Sequence, residues 1–260
     1  MPLLEISNLS INFGGLHALE NVTFSVDPGE IVGLIGPNGA GKTTVFNLIT
    51  GIYPPASGGM TLDGIGLVGM KTHRVFQLGV ARTFQNIRLF KRLSVLDNVL
   101  VGYHNRLGYG VLAGALRLPS YWREERAARE SALELLDVFG MRPLADELAS
   151  NLPYGRQREL EIVRALIGKP KLLLLDEPAA GMNPTETHAL MGTIRRIRDM
   201  FGVGVLLIEH DMNLVMGICE RIVVLDYGQV IASGAADEIR RDPRVIGAYL
   251  GGLGEAAATV

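Results

Sequence analysis

Along residues 20–30 apolar and polar positions alternate: Val22, Phe24 and Val26 share one face at a period of two, and Pro28-Gly29 follows. This predicts a half-exposed strand and a turn. Three later runs, IVGLI at 31–35, KLLLLD at 171–176 and VGVLLIEH at 203–210, are continuously apolar and end in polar or glycine-rich residues. Such runs suit strands of a parallel sheet covered on both faces, with ligands collecting at their C-terminal ends. The stretch RIVVLDYGQVIASG at 221–234 places two apolar runs around a turn sequence and predicts a β-hairpin.

Between Leu93 and Ser150 the pattern turns helical, with apolar residues such as Ala128, and Leu133, Leu136 and Phe139 at three-residue spacing. This predicts a helical subdomain inserted into the sheet domain. Its first part, VGYHNRLGYGVLAGALRLPS at 101–120, is glycine-punctuated and mostly uncharged, suiting either packing within the subdomain or an apolar docking surface. The segment GGLGEAAATV at 251–260 is expected to be a flexible tail.

A chain of 260 residues can bury a core without disulfides or metals. Its 25 basic and 27 acidic residues leave no basic excess for coating nucleic acid, so no nucleic-acid partner is expected. Cys219 is the only cysteine, which excludes an intrachain disulfide and a thiolate metal cluster and fits a reducing, cytosolic setting. The N-terminal MPLLEISNLS lacks the pattern of a secretion signal, and no apolar run approaches the roughly 18–20 residues of a membrane span.

The strongest chemical signal is GPNGAGKTT at 36–44, between the IVGLI strand and the helical VFNLIT. In the loop Gly36, Pro37, Asn38, Gly39, Ala40 and Gly41 the glycines let successive backbone N–H groups curl around phosphate oxygens; Lys42 reaches the outer phosphates, and Thr43, followed by Thr44, offers a hydroxyl to magnesium. GIGLVG at 64–69 also fits a dinucleotide-binding pattern, but MKTHR follows it, so it reads as a surface turn after a strand. LLLLDEP at 172–178 ends a strand in two carboxylates expected to diverge by strand alternation. Asp176 suits the metal side, and Glu177 the orienting or deprotonation of an attacking water. Of the histidines, His210 ends the third buried strand and can reach a terminal phosphate; His17, His73, His104 and His188 have no such address.

Together these residues resemble the ABC-type ATPases, the nucleotide-binding subunits of ATP-driven transporters. The resemblance runs from residue 4 to about 250 and implies one ATP-binding domain with an α/β P-loop NTPase (RecA-like) fold: a parallel-sheet core, an antiparallel β subdomain and a helical insertion at about 90–152. It implies that Phe13 stacks on adenine and that Gln85, in ARTFQ, is the Q-loop glutamine serving both metal and catalysis. Asp176 and Glu177 resemble the Walker B pair, Asn183 in AGMNP the D-loop, and His210 the switch histidine. ATP and Mg2+ follow as cofactors.

NLPYG at 151–155 falls where the family carries its signature, so Tyr154 and Gly155 would face the ATP held by an opposite subunit. Pro153 there offers neither hydroxyl nor N–H; it is either a neutral first-turn residue or a weakening of that composite site. FGGLHAL, ARTFQNIRLF, LDEPAAGMNP and DPRVIGAYLG resemble ATPase subunits of branched-chain amino acid importers. This implies integral-membrane transporter subunits and a second ATPase subunit as partners, a solute-binding protein as an indirect one, and a peripheral place at the cytoplasmic face of the cell membrane. A urea or amide importer, a lipopolysaccharide exporter and a soluble non-transport ABC ATPase share much of the pattern.

Overall fold

The computed structural model describes residues 1–103, 106, 108 and 114–255. The chain divides into two compact units, one made of residues 1–82 with 171–260, the other of residues 83–170. In chain order the elements are β1 (Leu4–Phe13), β2 (Leu16–Val26), β3 (Ile31–Ile35), α1 (Lys42–Ile49), β4 (Ser57–Leu62), β5 (Ile65–Gly66), α2 (Thr72–Gln77), β6 (Val80–Arg82), α3 (Val95–Tyr103), α4 (Pro119–Val138) and α5 (Tyr154–Leu166). There follow β7 (Leu172–Asp176), α6 (Pro184–Phe201), β8 (Gly204–Ile208), α7 (Met212–Ile218), β9 (Arg221–Asp226), β10 (Gln229–Gly234), α8 (Ala236–Arg241) and α9 (Pro243–Glu255).

The first unit holds two sheets. One is antiparallel in the order β2-β1-β4-β5; the other runs β10-β9-β3-β8-β7-β6. In the second sheet β9, β3, β8, β7 and β6 pair in parallel, and β10 joins its edge antiparallel to β9 as the expected hairpin. Every residue of β3, β7 and β8 is buried, which is what a strand covered on both faces requires of its sequence. β2 alternates instead, burying Val22, Phe24 and Val26. These join Leu4, Ile6, Leu34, Leu174 and Leu206 in one core, closed by Val45, Phe46 and Ile49 of α1.

Several expectations change. Part of GIGLVG is not a bare turn: Ile65 and Gly66 pair back onto Leu62 and Thr61, making β4 and β5 a hairpin, and Leu67 is buried. The helical segment from residue 251 continues α9 to Glu255, where a tail was expected; residues 256–260 lie outside the described residues. His104 and much of the glycine-punctuated segment 101–120 do too, so its packing or docking role stays an expectation.

The second unit is helical, and its bounds, 83 and 170, lie outside the expected 90–152 at both ends. On α4 the buried positions are Ala128, Ala132, Leu135 and Leu136. Leu133 is only half-buried, because the buried stripe follows 3.6 residues per turn and Leu133 falls at its margin. Ser94 and Leu148 form a bridge that ties the entry of α3 to the segment before α5.

Cys219, at the end of α7, packs its sulfur where a Cβ on Gly33 of β3 would meet it at 3.0 Å. Burial, with the nearby carboxylate of Glu220, pushes its thiol from an ordinary 9.0 up to about 12. The unfolded chain releases this proton near 9 and the folded chain near 12, so stability falls between those values as pH rises, by up to about 1.4 kcal/mol per unit. At pH 8 the folded protein should resist thiol alkylation and label stoichiometrically only in denaturant; rapid native labelling would contradict the burial.

Candidate nucleotide site

Because β3, β8 and β7 are neighbours and parallel, their C-terminal ends share one edge of the sheet. The residues after β3 form the 36–41 loop, Asp176 and Glu177 close β7, and Glu209 and His210 follow β8. Sheet order thus brings together segments more than a hundred residues apart.

The loop requires glycine for reasons of space. A Cβ on Gly36 would meet the Leu225 carbonyl oxygen at 2.0 Å, and one on Gly41, at φ +101°, would meet Leu19 Cδ2 at 2.5 Å. Gly41 is the N-cap of α1 and no side chain caps this helix end. The first intrahelical bond runs from Val45 N–H to Gly41 O, so the N–H groups of Lys42, Thr43 and Thr44 face out of the helix end, where anions are favoured. Lys42 Nζ donates to Gly36 O at 2.8 Å and Pro37 O at 2.9 Å, holding the loop curled. Burial lowers the Lys42 pKa, while Glu177 and then Asp176 pull it back up. Ala40 O accepts from Gly228 N–H at the tip of the β9–β10 hairpin, a second support under the loop. From α9, the Tyr249 hydroxyl oxygen lies against the Gly36 N–H; burial raises its pKa and that N–H lowers it. Tyr249 also borders a cavity of about 720 Å³ together with Ile35, Met212, Met216, Val245 and Ile246.

Asp176 and Glu177 have different partners, and Glu177 does not follow the strand alternation expected of it. β7 ends at Asp176, and Glu177 takes a left-handed conformation with φ +46°, its N–H donating to Ile208 O at 2.9 Å. Asp176 Oδ2 accepts from Arg82 at 2.8 Å, and Arg82 also donates to Asn47 Oδ1 at 2.8 Å. Glu177 Oε2 lies 3.8 Å from Nδ1 of the exposed His210.

Two residues at this edge escaped the sequence reading. Arg82 orients Asp176, and Glu209, almost wholly buried, accepts from the N–H groups of Ala179, His210 and Asp211 at 2.8, 3.0 and 3.3 Å. Glu209 therefore ties the turn after Glu177 to the turn carrying His210. A carboxylate inside an otherwise apolar strand run was the available signal, because a buried charge needs partners. Asn183 caps α6: its side chain accepts from Glu186 N–H at 3.0 Å while Glu186 accepts from Asn183 N–H at 3.0 Å, a capping box. Phe13, half-exposed, sits edge-on to Tyr53 with ring centroids 5.2 Å apart.

The donor set suits a phosphate-bound hard cation: a threonine hydroxyl, Thr43, and a carboxylate, Asp176, in the unit that carries the glycine loop. Among the described residues no three His, Cys, Asp or Glu side chains converge, so a protein-only metal cage is not formed there.

Gln85, Tyr154 and Gly155 belong to the other unit. Pro153 is the N-cap of α5 without a side-chain cap, and the first intrahelical bond runs from Gln157 N–H to Pro153 O at 3.0 Å. This helix end, like that of α1, presents its first-turn N–H groups outward. Among the described residues no helix is long and apolar enough to cross a membrane.

Residues 19–180 match the family model described as ABC transporter, and residues 229–255 one described as branched-chain amino acid ATP-binding cassette transporter. The chain is 47% identical over 250 residues to the high-affinity branched-chain amino acid transport ATP-binding proteins BraF of Pseudomonas aeruginosa and LivG of Escherichia coli, covering 96% of this chain and 98% of each. To the lipopolysaccharide export system ATP-binding protein LptB of Escherichia coli it is 36% identical over 251 residues, with 96% and 98% covered. A solved nucleotide-free ATP-binding cassette of an ABC transporter superposes with a TM-score of 0.83 at 31% identity, and one in an ADP conformation with 0.84 at 30%; each match covers 96% of this chain and 99% of the other.

Proposed function

The chain belongs to the ABC transporter family, and on that premise we propose that it is the ATP-hydrolysing subunit of an importer of branched-chain amino acids, working at the cytoplasmic face of the membrane. The observation that carries this reading is the gathering of Lys42, Asp176, Glu177 and His210 at one sheet edge beside an uncapped helix N-terminus. Lys42 and the N–H groups of residues 39–44 would bind the phosphates, and Phe13 would lie against adenine. Thr43, Asp176 and Gln85 would hold magnesium, with Arg82 fixing the Asp176 carboxylate. When bound, the ion supplies positive charge to the phosphate oxygens.

Glu177 would accept the proton of the attacking water, and His210, beside it, would meet the charge that develops on the terminal phosphate. Tyr154 and Gly155, at the start of α5, would contact ATP held by a second ATPase subunit, and Asn183 would lie near that junction. Closure of two such chains on ATP would then be passed to integral-membrane subunits.

The importer reading is favoured over lipopolysaccharide export by the match of residues 229–255 and by the identity, 47% against 36%. Its test is the ATPase rate of the chain reconstituted with its membrane subunits and solute-binding protein. Leucine, isoleucine or valine should raise that rate severalfold. Stimulation by urea or an amide, by lipopolysaccharide, or recovery of the chain only in a soluble complex would each replace the reading.

A further inference from the structure

The segment after β6, which carries Gln85, is held by fully buried polar side chains of its own helical unit. Arg158, one helical turn from Tyr154 on α5, has no solvent-exposed surface. Its Nη1 donates to Phe84 O at 2.8 Å and its Nη2 to Gln85 O at 2.7 Å. Glu161, likewise buried, pairs with Arg158 Nη1 at 3.0 Å and accepts from Arg88 N–H at 3.1 Å through its other oxygen. Arg164 then donates to Arg88 O at 2.6 Å. One face of one helix thus grips the backbone on both sides of Gln85.

A buried ion pair is an expensive way to gain stability, since apolar residues of the same volume often do as well or better. Arg158 Nε is moreover buried without a hydrogen-bond partner. What the pair provides is geometry: a planar guanidinium bridging two successive carbonyls fixes their orientation in a way a methylene chain cannot. Arg158 stands about 6 Å along the helix axis from Tyr154. The same short piece of α5 therefore fixes Gln85 and begins with the signature residues.

We propose that Arg158, held by Glu161, is a positioning residue that locks the Gln85 backbone to the N-terminal turn of α5, so that the magnesium-side glutamine and the signature turn move as one piece. This rests on the catalytic reading of Gln85 given above. A bridge of this kind lets arrival of the partner's ATP at the signature turn be felt at Gln85 without a separate hinge.

The test is a double-mutant cycle on the reconstituted complex, with kcat, the KM for ATP and the melting temperature read for each variant. Arg158→Gln should lower kcat about tenfold with KM for ATP changed less than about threefold, and should lower it no further in a Gln85→Ala background. Arg158→Lys, a single point donor, should restore part of the loss. An equal loss in both backgrounds, or no loss in either, overturns the proposal. If Gln85→Ala alone leaves kcat unchanged, the catalytic reading of Gln85 has failed, which is a distinct result. Should Arg158→Gln not fold, Arg158→Met combined with Glu161→Leu replaces the pair by apolar side chains and enters the same cycle.

Discussion

Glu177→Gln should abolish turnover while leaving ATP binding nearly intact. A positioned general base contributes typically 10²–10⁴-fold, so the hydrolysis rate should fall by at least about a hundredfold. The affinity for ATP should stay within about threefold, because the phosphate contacts assigned to Lys42 and the α1 N-terminus are untouched. Glutamine keeps the length of the side chain and the N–H of residue 177 still reaches Ile208 O, so the turn is preserved. With hydrolysis blocked, the two-chain ATP-bound form should persist; light scattering after gel filtration with ATP and magnesium would detect it. Hydrolysis within threefold of the unaltered rate would remove Glu177 from the role given to it.

Lys42→Met should act on the opposite side of the cycle. Methionine keeps much of the apolar stem and removes both the charge and the bonds to Gly36 O and Pro37 O. The ammonium also sits in the field of Glu177 and Asp176, so its loss removes positive charge that offsets theirs where phosphates must enter. A loss of about a hundredfold in ATP affinity is expected, equivalent to roughly 2.7 kcal/mol. Titration with a fluorescent ATP analogue measures it, with the melting temperature as a control for folding. Binding within threefold of the unaltered chain would mean that the helix end and loop suffice without the lysine.

The contrast between these two residues shows what was legible in the sequence. The glycine loop and Lys42 are local: strand, loop and helix follow one another, and each has its own composition. The continuous apolar runs gave β3, β7 and β8 for the same reason, since burial on both faces leaves no alternating polar position before the strand's C-terminal end. The partner of Asp176 was not legible, because Arg82 reaches it from a strand 94 residues earlier in the chain. Nor was the left-handed turn at Glu177, which depends on the Ile208 carbonyl of a neighbouring strand. The two-residue strand β5 is too short for any periodicity to reveal. The cap at Asn183 was legible and was passed over: Asn-Pro-Thr-Glu at 183–186 is a capping-box pattern.

The contact of Tyr249 with Gly36 bears on how segments can be exchanged between relatives. Tyr249 lies within residues 229–255, which match the narrower family model, whereas Gly36 lies within the 19–180 match to the broad one. The Gly228 N–H that supports Ala40 sits immediately before that narrower segment. A chimaera joined after residue 228 would keep the hairpin-tip support and import a foreign neighbour for Gly36. Segment swaps meant to probe transporter specificity will therefore also retune nucleotide handling, unless the incoming helix carries a hydroxyl at position 249.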